Sequence, residues 1–239
     1  MNDNIKVGVI IPAAGSGSRM GGIYKPFEML CGKPMLLYSL EAFEKCRYVS
    51  FVVIAAREDK ISECEKLCAE NGITKVKKIV CGGDDRQTSV ENAFSCGLFE
   101  EEKVDFVAMH DAARPLITPE MIEKAVEFAV EKSSAVCASR VRDTVKRAEL
   151  SGAVTGSVDR ENLYLLQTPQ IFRTDMYRKA LVSAREKGFV ATDESTLVSA
   201  LGEVVYLFEM PSYNIKVTYP EDVFLAEALL GARKDEKSL

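Results

Sequence analysis

The 239-residue chain has no tryptophan and a single histidine, His110. A metal centre built from several imidazoles is therefore excluded. No apolar run approaches the roughly 20 residues that a membrane-spanning helix needs, so no spanning segment is expected. The seven cysteines include no C-x-x-C pair, and the closest two, Cys64 and Cys68, fall in a helical pattern. Neither a zinc knuckle nor a disulfide framework is indicated, and the thiols read as reduced and structural. Positive charge is also short: 31 Lys and Arg stand against 36 Asp and Glu, a net charge of −5. A general nucleic-acid binder carries the opposite sign, because phosphate neutralisation dominates its affinity. A local basic pocket for a small anion remains compatible with that balance. The N-terminal stretch MNDNIKVGVIIP has no basic segment followed by a long apolar one. It is not expected to be a secretory signal, and a cytoplasmic location is expected.

What is present is the composition of a globular domain, 47% hydrophobic and 28% charged. Short apolar runs alternate with amphipathic segments. Strands are predicted at Val7–Ile11, Phe51–Ala56, Lys75–Val80, Asp105–His110, Ala135–Ser139, Val204–Phe208 and Ile215–Val217. Helices are predicted at about 34–46, 58–71, 86–99, 119–132, 174–187, 193–201 and 220–232. Thr118, Pro119 and Glu120 supply a cap, a first-turn proline and an acid matched to the helix dipole. Such alternation predicts an α/β fold with a mostly parallel sheet covered by helices on both faces. One domain over residues 1–233 is expected, with an unstructured tail at 234–239.

The rhythm breaks between Arg140 and Leu163, where polar and apolar residues alternate on either side of Ser151-Gly152. The segment reads as a two-stranded arm with a central turn, or as a mobile surface loop. An isolated hairpin is barely stable in water, so an arm at 140–163 is expected to pack on a second subunit.

The strongest chemical signal follows the first strand: Pro12-Ala-Ala-Gly15-Ser-Gly17-Ser-Arg19, and then Lys25. Small residues let backbone N–H groups turn toward negative charge, and two spaced cations stand beside the same loop. A Walker A loop would end in Gly-Lys-Ser/Thr, whereas this one ends in Ser-Arg-Met. A dinucleotide fingerprint would place an acid at the end of the second strand, where this chain has Arg57. The loop therefore points to phosphate binding outside both schemes.

Eight motifs in order then carry a resemblance: PAAGSGSRM with a following Lys, CGGDDRQTSV, HDAARP, VRDTVKR, VDRENL, QTPQIF, ATDES and NIKVTYPED. Together they resemble the 2-C-methyl-D-erythritol 4-phosphate cytidylyltransferase family over nearly the whole chain. The resemblance implies transfer of a cytidylyl group from CTP to 2-C-methyl-D-erythritol 4-phosphate in non-mevalonate isoprenoid synthesis. It also implies a Rossmann-like fold, a divalent metal, Mg²⁺, and a homodimer joined through the arm. Carried over by position, Pro12, Ala13, Ala14, Gly15 and Gly17 would wrap the triphosphate, while Arg19 and Lys25 would stabilise the transition state. Gly83, Asp84 and Ser89 would read cytosine, and Asp111 and Ala112 would lie near ribose and metal. Arg114, Thr144, Arg160, Thr168, Thr192 and Lys216 would hold the acceptor, with Arg160 and Lys216 also acting in catalysis and Thr144 and Arg160 reaching over from the partner.

The chemistry asks for little else. Joining two phosphates requires positive charge and in-line positioning, and a phosphate oxygen is already a nucleophile near neutral pH. One histidine is thus no objection, and His110 reads as a structural hydrogen bonder. Asp111 is open between a brace for the turn before Arg114 and a place beside ribose or metal. Two alternatives remain at this point: the same transfer to another polyol phosphate, and a catalytically silent nucleotide-binding module.

Overall fold

The computed structural model describes residues 4–15 and 24–236. The first strand, β1 (Val7–Pro12), is the continuous apolar run VGVIIP, and it is buried on both faces as its composition demands. A small ribbon of β2 (Met29–Leu30) and β3 (Lys33–Pro34) leads into α1 (Met35–Lys45). Then follow β4 (Val49–Ala56), α2 (Ile61–Glu70), β5 (Val76–Cys81), α3 (Arg86–Phe94), the short α4 (Leu98–Glu101) and β6 (Phe106–Met109). Next come α5 (Pro119–Lys132) and β7 (Ser134–Arg140). The Thr118 hydroxyl caps α5 by accepting the Met121 N–H at 3.3 Å, with Pro119 at the first helical position.

The chain then leaves the core as a hairpin of β8 (Val145–Ala148) and β9 (Val154–Val158), pairing Val145 with Val158. Its tip turns through Gly152, at φ +85°, where a side chain would be strained. It returns as β10 (Tyr164–Arg173), followed by α6 (Thr174–Lys187), α7 (Glu194–Ala200), β11 (Leu207–Glu209) and α8 (Pro220–Glu236).

Seven strands form one sheet in the order β11-β7-β10-β6-β1-β4-β5. Strand β10 runs antiparallel to both neighbours, and every other pairing is parallel. The mostly parallel α/β architecture is thus as expected. One apolar cluster lies under α1, α2 and α5 on one face, and a second under α3 and α6 on the other.

Two expectations are corrected, and one strand is added. Strand β10, which inserts between β6 and β7, was not anticipated. Ile215–Val217 is irregular rather than a strand, because the Val217 N–H goes to the Ala113 carbonyl at 2.8 Å and not to a sheet neighbour. Helix α8 extends to Glu236, into the stretch expected to be unstructured, and 237–239 lie outside the described residues.

Candidate active site

Strands β4, β1 and β6 run side by side and end together. The N–H of Ala13 bonds to the Ala55 carbonyl (2.8 Å), that of Gly82 to Ala56 (2.8 Å), and that of His110 to Ile10 (2.9 Å). Chain order reverses at β1, which has β4 on one side and β6 on the other, and this is where open α/β sheets bind ligands. A cleft of about 280 Å³ opens there, lined by Pro12–Gly15, Lys25, Pro26, Arg86, Ser89, Asp111–Ala113 and Lys216.

The first loop and the Gly82-Gly83 loop meet in close contact. A Cβ on Gly82 would come within 2.3 Å of the Ala14 Cβ and 3.0 Å of Ser89 Oγ, so only glycine lets the two loops approach. Ser89 accepts the Gly83 N–H at 3.0 Å and donates to the Asp85 carbonyl at 2.8 Å. Its hydroxyl therefore shapes the Gly83–Asp85 turn. Asp85 in turn caps α3 by accepting the Thr88 N–H at 2.7 Å.

On the other wall Asp111 follows β6 and is nearly buried. Its Oδ1 lies 3.3 Å from Arg86 Nε, and its Oδ2 lies 2.9 Å from Lys216 Nζ and 3.7 Å from Arg114 Nε. Burial pushes the carboxyl pKa up, but Lys216, Arg86 and Arg114 more than offset this and hold it well below the ordinary carboxylate range. Arg86 continues to Glu194, with Nη1 2.5 Å from Oε1. Burial works against the Arg86 cation, while Glu194 and Asp111 outweigh it and raise its pKa. Arg86 was not among the expected site residues. Its signal was the arginine within CGGDDRQTSV, but both its carboxylates are remote in sequence.

Behind this rim sits a buried brace. His110 Nδ1 lies 3.1 Å from Thr168 Oγ1, and Nε2 lies 3.3 Å from the Arg114 carbonyl and 3.4 Å from Ser39 Oγ. Burial pushes its pKa down to about 4, so it is neutral near pH 7. Thr168 Oγ1 accepts the Asp111 N–H at 3.0 Å. Arg114 donates to the Asn214 carbonyl (2.8 Å) and the Leu166 carbonyl (3.2 Å). Thr168 and Arg114, expected on the acceptor, are thus engaged with protein groups and are buried.

Of the remaining expected residues, Thr192 is exposed just ahead of α7, its hydroxyl 3.5 Å from Thr196 Oγ1. Arg160 and Thr144 are exposed on the hairpin. Arg160 donates to the Arg142 carbonyl and lines a separate cavity of about 660 Å³ with Arg140, Arg142 and Glu209. Within one chain, neither lines the cleft that holds Lys25 and Lys216. Gly17 and Arg19 lie outside the described residues. Asp84 follows Gly83 at the mouth of α3 and is exposed.

A small-residue loop and cations at the ends of parallel strands, with one buried carboxylate facing them, define a nucleotidyltransferase. The model of the 2-C-methyl-D-erythritol 4-phosphate cytidylyltransferase family matches residues 7–232. The enzyme of that name from Geotalea uraniireducens is 39% identical over 235 residues, covering 98% of this chain and 100% of the relative. Its counterpart from Alkaliphilus metalliredigens is 39% identical, over 96% of this chain and 95% of its own. The crystal structure of the Thermus thermophilus enzyme superposes with a TM-score of 0.74 at 34% identity, covering 94% of this chain and 98% of that one. The chain belongs to this family, whose reaction joins CTP and 2-C-methyl-D-erythritol 4-phosphate in the non-mevalonate pathway. No helix among the described residues is long and apolar enough to cross a membrane.

Proposed function

We propose that this cleft transfers the cytidylyl group of CTP to 2-C-methyl-D-erythritol 4-phosphate and releases pyrophosphate. The observation that carries the reading is the convergence of Pro12–Gly15, Lys25, Arg86, Asp111 and Lys216 on one cleft. The loop would hold the triphosphate by its N–H groups, with Gly17 and Arg19 continuing it. Lys25 and Arg19 would face the charge that grows on the α-phosphoryl group and the leaving pyrophosphate. Gly83 and Asp84 would meet the cytosine edge through a turn whose shape Ser89 fixes, and Ala112 would lie against the ribose.

The donor set fits a divalent ion that arrives with its phosphates. Among the described residues no group of three or more His, Cys, Asp or Glu could hold a metal alone. Asp111 offers a single ionised carboxylate, and Mg²⁺ is commonly bound by one or two carboxylates plus substrate phosphates. Bound there, the ion would neutralise triphosphate charge. Lys216, released from Asp111, would turn to the acceptor phosphate. Arg114 and Thr168 would support the acceptor side by holding Asp111 and its strand in place, and Thr192 would border it.

The 140–163 arm is proposed to join two chains and to carry Arg160 and Thr144 into the partner's cleft. Exposed apolar side chains on and beside it, Leu150, Val154, Leu165 and Leu166, support this. A cytoplasmic setting fits substrates that are free nucleotides and sugar phosphates. The test is the initial rate of pyrophosphate release from CTP, UTP, ATP and GTP with methylerythritol phosphate and Mg²⁺. CTP is expected well ahead of UTP, by roughly 5- to 150-fold, because a mismatched base leaves buried polar groups unpaired. Equal use of UTP would sink the cytosine assignment.

A further inference from the structure

The turn that precedes α8 carries two cationic contacts of the cleft. Lys216 pairs with Asp111, and two residues later the Thr218 carbonyl accepts a hydrogen bond from Lys25 Nζ at 2.9 Å. A single carboxylate supports this turn from the helix side. Asp222 Oδ2 accepts the N–H of Thr218 at 2.7 Å and that of Tyr219 at 2.9 Å. From the other side the Val217 N–H ties the turn to Ala113, beside Asp111.

An acid in the first turn of a helix that takes N–H groups just ahead of it is an ordinary cap. Here the capped group has a second end. The Thr218 carbonyl and the Tyr219 N–H belong to one peptide plane, so the carboxylate grips one edge and the lysine ammonium the other. Fixing the N–H fixes the direction of the carbonyl. The negative charge on one side and the positive charge on the other also polarise the peptide in the same sense, which strengthens both bonds.

We propose that Asp222 is a positioning residue: it orients the Thr218–Tyr219 peptide and, through that carbonyl, holds Lys25 Nζ at its place in the cleft. The inference rests on the catalytic reading of Lys25 given above. A purely structural cap would lower stability and leave the properties of Lys25 alone.

The test reads Lys25 directly. Full-length wild type and Asp222→Ala are labelled briefly with acetic anhydride, without nucleotide, and modification at each lysine is followed by peptide mass spectrometry. Lys25 is expected to react several-fold faster in the variant, with the exposed Lys124 on α5 unchanged. In turnover, Asp222→Ala is expected to lose roughly 10-fold in kcat while KM for CTP stays within about threefold. Asp222→Asn, which keeps an acceptor oxygen, should recover most of the rate. In the Lys25→Ala background the loss from Asp222→Ala should vanish, since residues acting as a unit are not additive. Where Asp222→Ala does not fold, Asp222→Ser, too short to reach both N–H groups, takes its place.

Labelling of Lys25 at the wild-type rate, or a kcat loss that persists undiminished without Lys25, would overturn the proposal. A wild-type enzyme that releases no pyrophosphate would instead refute the proposed reaction, and the labelling would still decide the role of Asp222.

Discussion

Arg86 and Glu194 form a salt bridge at the side of the cleft, Nη1 to Oε1 2.5 Å, in which the carboxylate is almost wholly buried. Among the described residues, Glu194 Oε2 has no hydrogen-bond partner of its own. Among the described residues the carboxylate is paired with this one cation, which is shared with Asp111. Glu194→Ala is expected to lower stability by about 2 kcal/mol, because removing one partner leaves a largely buried charge short of compensation. Replacing both Arg86 and Glu194 by alanine should cost less than the sum of the two single alanine losses. Urea denaturation of the four proteins checks this, and strictly additive losses would mean that the pair does not interact.

On the proposed reading, in which Lys25 meets the charge that grows on the α-phosphoryl group and pyrophosphate, Lys25→Ala should lower kcat by about 10²-fold or more with little change in melting temperature. Arg19→Ala should behave alike, and Arg19→Lys should remain impaired because a point charge does not replace a planar fork. Steady-state pyrophosphate release, with circular dichroism to establish folding, is the measurement.

The arm predicts complementation. Lys25→Ala and Arg160→Ala chains, each nearly inactive alone, should regain activity when mixed and allowed to exchange subunits. One cleft of each mixed pair would then hold both intact residues. Subunit exchange shown by mass spectrometry, with no recovered rate, would place Arg160 in service of its own chain.

His110 makes stability fall on the acid side. Its folded pKa is depressed to about 4, below the ordinary value of about 6.5 in an unfolded chain. Between those values the unfolded chain binds the extra proton, so stability present near pH 7 is lost as pH drops toward 4. The loss attributable to this residue is on the order of 2–3 kcal/mol across that window. Asp111, with its folded pKa also depressed, adds a loss at still lower pH. Melting curves from pH 7.5 to 4.5 should show a steep decline that is shallower in His110→Gln, and equal slopes would contradict this account.

Much of the frame was legible because local signals agreed with one another. VGVIIP fitted a central strand buried on both sides, and Thr118-Pro119-Glu120 marked the start of α5. The strand that escaped notice, β10, escaped for a physical reason. Its centre, Gln167 to Gln170, is polar and contains a proline, yet it is buried. The two glutamines are satisfied from far away: Gln170 by Asp193 (2.8 Å) and the Ser195 N–H (2.9 Å), and Gln167 by Asn214 (3.0 Å). Hydrophobic periodicity cannot register a core position filled by such a network. Arg86 was hidden for the related reason that an ion pair is a fact of three dimensions, and neither Asp111 nor Glu194 is near it in the chain.

The single reversed strand has a mechanical consequence. Because β10 lies antiparallel to β7, with Tyr164 opposite Arg140, the protruding hairpin is carried at the end of a ribbon that is woven into the sheet. That ribbon contains Thr168, which holds the Asp111 N–H, and Leu166, which receives Arg114. Only the short connections 141–144 and 159–163 separate the hairpin from this ribbon, and the Val141 N–H ties them together at the Leu163 carbonyl (3.1 Å). A partner chain that grips the arm would therefore bear on the same ribbon that steadies Asp111.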